Sequence, residues 1–135
     1  MPGEFFFIGM KLNTDAVARY ATCGVRPSAL DEWFRVSRLP RRQDLFGALC
    51  LNASTLSRAR RSSAQELDAV VTERMFRQSD LMVRAAEVFG DDGPTWMTKP
   101  HPLLDGKTPA EFATNEYGGE KVRSILAAIQ YGGVV

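Results

Sequence analysis

This chain of 135 residues has one histidine, His101, and only two cysteines, Cys23 and Cys50. The thiols lie far apart and form no C-x-x-C pair, which argues against a zinc site or a disulfide framework. Two reduced thiols packed in apolar surroundings are expected instead. The sequence has no G-x-S-x-G, no Gly-rich phosphate loop after a strand and no metal-ligand spacing. An enzyme would need convergent acid, base or nucleophile groups, so no catalytic residue, metal site or cofactor is assigned. Nor does any apolar run approach the roughly 20 residues of a membrane span. The longest one near the start, Phe5 to Met10, has no basic flank before it and no small-residue cleavage site after it. A cytoplasmic protein with no membrane partner is expected, its apolar arm buried against a helix or a second subunit.

Neither sign of charge dominates overall, at a net +1, but the two halves differ. Met1 to Ser62 carries ten Lys/Arg against five Asp/Glu, and Ser63 to Val135 seven against eleven. The basic excess is concentrated in Arg35, Arg38, Arg41, Arg42, Arg58, Arg60 and Arg61, with Asp44 as the single acid between Arg35 and Arg61. A planar guanidinium can bond two acceptors at once, which suits phosphates and base edges. A hydrophobic content of 44% suits one compact domain, or two small helical modules sharing a core.

The pattern reads as helical almost throughout. Residues 14 to 21 are weakly helical, and "RPSALDEWFRVSRLP" then offers Ser28 as an N-cap, a stripe of Leu30, Trp33, Phe34 and Ser37, and Pro40 as its stop. "RRQDLFGALC" places Leu45, Phe46 and Leu49 inward. After a short break, "ASTLSRARR" restarts with Asn52 or Ser54 as cap and Leu56 as inward anchor. Two short helices joined by a tight turn form a helix-turn-helix, with Cys50 where a glycine is usual. Its second helix would turn Ser54, Thr55, Ser57, Arg58, Arg60 and Arg61 toward base edges and phosphates, with Arg41 and Arg42 on the DNA backbone. A twofold dimer would then read an inverted repeat.

From Ser63 the apolar stripe lengthens through Leu67, Val70, Val71, Met75, Leu81 or Met82, Ala85, Val88 and Phe89. Ser63 and Glu66 read as a capping box and Gly90 as a stop, which predicts a helix from Ala64 to Phe89, about 39 Å long. Such a helix would link the halves and offer its exposed length to a second copy. A short helix with Trp96 and Met97 follows Pro94, and Thr108, Pro109 and Glu111 start another. Between them His101, fenced by Pro100 and Pro102, reads as part of a stiff connector rather than a catalytic loop. Leu103 and Leu104 would drop into the core and Gly106 would allow the turn. The last helix, "EKVRSILAAIQ", buries Val122, Ile125, Leu126 and Ile129.

The segment Ala85 to Val135 resembles the toxin-binding domain of the Xre/MbcA/ParS antitoxins. The residues that carry the likeness are Val88-Phe89-Gly90-Asp91, Trp96-Met97, Pro100-His101, Leu104, Gly106, Pro109, Asn115-Glu116, Gly118, Val122, Leu126, Ile129 and Gly132. Upstream, "CGVRPSALDEWF" and "LNASTLSRARR" are similar to that family's Xre-like DNA-binding part. The resemblance implies an all-α fold, with a helix-turn-helix module at 1–62 and a toxin-binding domain at 63–135. It also implies an antitoxin that does no chemistry and is paired with a RES-type toxin that consumes NAD or transfers from it.

On that likeness the toxin is blocked by the last helix and tail, through Trp96, Arg123, Ile129, Gln130, Tyr131, Gly132, Gly133, Val134 and Val135. Two glycines let the tail pass a narrow opening, and its two valines and terminal carboxylate suit a pocket made for the phosphates of NAD. Operator DNA would be a second partner, bound by a homodimer that represses its own operon. The alternative is a stand-alone helix-turn-helix regulator with a helical dimerisation domain, which would share the charge asymmetry.

Overall fold

A computed structural model describes residues 24–61 and 67–132. The apolar arm, the weak helix at 14 to 21, Cys23, the Ser63–Glu66 capping box and the tail Gly133 to Val135 lie outside the described residues. Those described form an all-α fold: α1 (Pro27–Ser37), α2 (Arg42–Leu49), α3 (Ala53–Arg61), α4 (Ala69–Phe89), α5 (Gly93–Met97), α6 (Pro109–Phe112) and α7 (Glu116–Gln130). Short 3₁₀ turns at Gly90–Asp92 and Pro102–Leu104 join the later helices.

Pro27 opens α1, because its fixed φ and missing N–H suit the first helical position. Arg26 is therefore the N-cap, and Ser28, expected in that role, falls inside the first turn. Leu30, Trp33 and Ser37 are buried as the stripe requires. The helix ends at Ser37, with Arg38 left-handed at φ 61°, before Pro40 is reached. In α2 the Arg41 backbone N–H donates to Asp44 at 3.0 Å. At its other end Cys50 takes φ 55°, the left-handed C-cap that glycine usually fills. In that position its thiol is exposed, not packed as expected. Asn52 then caps α3, accepting from the Thr55 N–H at 2.8 Å.

The long helix α4 begins at Ala69, not Ala64. Val25 and Leu67 exchange backbone hydrogen bonds of 3.2 and 2.7 Å in an isolated antiparallel bridge, which holds Leu67 extended. Asp68 follows as N-cap and accepts from the Val70 N–H at 3.1 Å. The 21 residues of α4 are about 32 Å long. Far from leaving that length exposed, α4 buries Val71, Met75, Phe76, Leu81, Met82 and Ala85 and packs against α2, α5 and α7. One apolar cluster includes Leu30, Leu45 and Leu56 from the basic half and Met97, Leu104 and Leu126 from the acidic half. Each such side chain stabilises the fold by about 1.5–3 kcal/mol when fully buried, so the two halves share a core.

Gly90 stops α4 at φ 62°. The Thr108–Glu111 capping box forms as its residues predict, with the Glu111 N–H donating to Thr108 Oγ1 at 3.1 Å and the Thr108 N–H to Glu111 Oε1 at 3.3 Å. Between these elements His101 has a structural use: its Nδ1 accepts from the Leu103 N–H at 3.1 Å and so caps the second 3₁₀ turn. That turn separates two neighbours expected to be buried together. Leu104 is fully buried, while Leu103 is 49% exposed.

Candidate functional site

The residues expected from the sequence to bind partners fall on two surfaces, one on α2 and α3 and one on α5 and α7. On the first, Ser54, Ser57, Arg58 and Arg61 line a shallow groove with Asn52 and Ala53. Helical spacing brings positions 54, 57, 58 and 61 to one face, while Leu56 and Ala59 pack inward. Arg58 rests on Thr55 Oγ1 at 3.5 Å and Arg61 on the Ser57 carbonyl at 3.4 Å. Neither has a carboxylate partner among the described residues.

The other arginines expected there are engaged elsewhere. Arg60 donates to both oxygens of Asp31, at 2.8 and 2.6 Å, and Arg42 donates to the same carboxylate at 3.3 Å. The hydrogen bond from Arg60, opposed by burial and aided by Arg42, holds the Asp31 carboxyl below its ordinary pKa. Arg42 also lies over the rings of Phe34 and Phe46, 5.8 and 5.9 Å from their centroids. Arg41 is paired with Asp44 at 3.1 Å. Asp31 escapes a reading of the arginine-rich stretch because it lies 29 positions before Arg60, on another helix.

On the second surface Trp96 is half-buried, stacked on Phe89 at 5.3 Å and meeting the His101 ring edge-on at 6.0 Å. Arg123 is surrounded by carboxylates, namely Glu116, Glu120 at 3.3 Å and Asp80 at 3.5 Å. It is thereby part of a bridge between α4 and α7. Burial works against its charge, but these acids outweigh that and raise its pKa. Ile129 packs partly against the core, while Gln130, Tyr131 and Gly132 are exposed. Tyr117, not singled out from the sequence, is 90% exposed, and Tyr131 is 83% exposed. With Ser124 they stand at i, i+7 and i+14 along one side of α7, about 21 Å from end to end.

The start of α7 explains the glycine of the "NEYGG" segment. Asn115 caps the helix by accepting from the Gly118 N–H at 2.9 Å. A Cβ on Gly118 would meet the Phe112 carbonyl oxygen at 1.7 Å, so the chain passes here only without a side chain. Next to it Gly119 leaves room for the stem of buried Arg77, whose guanidinium pairs with Glu73 and, at 3.5 Å, with Glu116.

Among the described residues no three His, Cys, Asp or Glu side chains are placed to hold a metal ion, and no helix is long and apolar enough to cross a membrane. Among curated proteins, the chain is similar to one named Antitoxin Xre, from Pseudomonas putida, at 31% identity over 70 residues. The match takes in 50% of this chain and 44% of that protein, so the chain spans less than half the length of the curated relative it matches. Residues 84–132 match the family model of the antitoxin Xre/MbcA/ParS C-terminal toxin-binding domain. They run from the last turn of α4 through α7, the region in which the Phe89–Trp96 stack and the Thr108 and Asn115 caps are found. From residue 84 to residue 132 the chain is thus similar to the antitoxin Xre/MbcA/ParS C-terminal toxin-binding domains.

Proposed function

We propose that this chain is the antitoxin of a toxin–antitoxin pair, acts in the cytoplasm, and holds its toxin through α7 and the residues after it. The likeness of residues 84–132 to that family carries this reading. The outer side of α7 supports it, because Val122, Ile125 and Leu126 are spent on the core while Tyr117, Gln130 and Tyr131 face outward. Exposed tyrosines offer a partner large rigid rings and a hydroxyl at little entropic cost. The partner is a toxin of the RES type, which consumes NAD or transfers from it. The end of α7 occludes the toxin's NAD pocket, and Gly132, at φ 83°, lets the following residues turn into a narrow opening.

The α2–turn–α3 unit supplies a second activity, operator binding by a homodimer that represses its own operon. Its support is the groove formed by Ser54, Ser57, Arg58 and Arg61 on the outer side of α3. Residues 1–62 thus serve DNA and 63–135 the toxin.

Co-expression with the cognate toxin tests the first activity. The full chain should co-purify with the toxin and restore both cell growth and cellular NAD, whereas a chain ending at Tyr131 should do neither. Equal protection by the shortened chain would defeat the occlusion by the tail. Failure of the full chain to bind a RES-type product would defeat the choice of partner.

A further inference from the structure

Asp31 joins three helices through charge. It stands on α1 and accepts two hydrogen bonds from Arg60 at the end of α3 and one from Arg42 at the start of α2. The two bonds from Arg60 are parallel and bidentate, the geometry in which a guanidinium also grips a phosphate. Arg42 also lies over the rings of Phe34 and Phe46. Among the described residues Arg58 and Arg61 have a hydroxyl and a backbone carbonyl as partners and no carboxylate. The arginines of α2 and α3 thus fall into two classes, those a carboxylate already occupies and those it does not.

We propose that Asp31 is a built-in competitor of DNA phosphate, which withholds Arg42 and Arg60 from the duplex and so limits binding that ignores sequence. The inference rests on the DNA-binding activity proposed above. Its physical basis is counterion release: each phosphate neutralised by a basic side chain adds affinity without reading sequence and adds about 0.9 to the salt slope. Two arginines spent on Asp31 are missing from that sum, while Arg58 and Arg61 at the groove remain in it. Asp31 thereby shifts the balance of binding from charge toward base contacts.

The test is anisotropy titration of the full chain against a short duplex of random sequence, over a series of potassium chloride concentrations. Asp31→Asn should tighten binding at low salt by about an order of magnitude and steepen the slope by about 0.9 for each arginine released. Arg58→Gln should flatten the slope by about 0.9, and Arg60→Gln should flatten it by clearly less. A slope for Asp31→Asn equal to or shallower than that of the parent, in a protein whose circular dichroism shows it folded, overturns the proposal. Equal flattening by Arg60→Gln and Arg58→Gln also overturns it, and this comparison decides the matter should Asp31→Asn fail to fold. If neither the parent nor Asp31→Asn binds any duplex at the lowest salt, the DNA-binding activity itself falls and the competitor with it. A parent that binds and an Asp31→Asn that matches it would remove the competitor alone.

Discussion

The indole N–H of Trp33 on α1 donates to the hydroxyl of Ser79 on α4 at 2.9 Å, across 46 positions of sequence. Ser79 passes the bond on to the Met75 carbonyl at 2.6 Å, so both hydroxyl functions are used in a fully buried place. Through this contact the first helix of the basic half is registered against the central helix. Replacing Ser79 by alanine leaves a buried indole donor without its partner, a loss of about 1–3 kcal/mol. The expected outcome is a lower midpoint in urea with an unchanged m-value, and a near-ultraviolet circular dichroism change from Trp33. An unchanged midpoint would mean that the indole finds water or another acceptor.

Gln78, one residue earlier, ties the other two parts together. Its amide donates to the Ala48 carbonyl at the end of α2, at 3.1 Å, and to the Ala110 carbonyl of α6, at 2.9 Å. Arg74 adds a bond to the Leu49 carbonyl at 3.3 Å, so α4 caps the C-terminus of α2 from the side. Gln78→Leu keeps most of the volume but leaves two buried carbonyls unsatisfied, and the expected destabilisation is about 2–4 kcal/mol. Hydrogen exchange should quicken in both α2 and α6. Faster exchange in α6 alone would show that Arg74 suffices for α2.

These long-range ties mark the limit of what the sequence discloses. The Thr108–Glu111 box, Pro27 at the head of α1, the stop at Gly90 and the turn at Gly106 depend on a few neighbouring residues. Of these only the N-cap of α1 differs from expectation, Arg26 in place of Ser28, because Ser28 competes with the proline beside it. The start of α4 could not be found that way, since it is set by a bridge to Val25, 42 positions before Leu67. Asp31 was invisible for the same reason. Gly118 was legible as a letter in a motif, but its necessity is a contact with Phe112 that only folding creates. Tyr117 gave no periodic signal because it points away from every stripe.

The two glycines at the start of α7 should differ sharply in tolerance. An alanine at 118 brings its Cβ to 1.7 Å from the backbone oxygen of Phe112 at the end of α6, whereas at 119 the nearest atom is in the Arg77 side chain, at 2.9 Å. Gly118→Ala is expected to destabilise by more than about 3 kcal/mol, beyond the common range of single substitutions. Gly119→Ala should fall near the common value of about 1 kcal/mol. Denaturant midpoints of the two variants check the order, and the reverse order would refute the close approach of α7 to the α6 turn.

Cys50 offers a change in the opposite direction. A left-handed conformation burdens a residue with a Cβ by about 1–2 kcal/mol, and Cys50 has φ 55° with an exposed side chain. Glycine relieves that strain but has more freedom to lose on folding, a term of about 0.5–1 kcal/mol. Cys50→Gly should therefore raise stability by about 0.5–1 kcal/mol, visible as a higher melting temperature. A lower melting temperature would mean that the thiol contributes contacts its exposure does not suggest.

The pH dependence of the Asp31 cluster follows from the direction of its shift. The hydrogen bond from Arg60 lowers the pKa of Asp31 below 3.8, burial opposes it, and Arg42 lowers it further. A carboxyl whose folded value is depressed binds protons more readily in the unfolded chain. Its contribution to stability is thus fully present above the unfolded pKa and disappears as pH falls through the folded one. Both side chains are about two-fifths exposed, and solvent screening at such a site limits the contribution to at most about 1 kcal/mol. The gap in stability between the parent and Asp31→Asn should be constant from neutral pH down toward 3.8 and narrow below it. Urea midpoints of both proteins over that range provide the measurement. A gap that held constant well below 3.8 would show that the carboxylate charge contributes nothing and that Asp31 acts by shape alone.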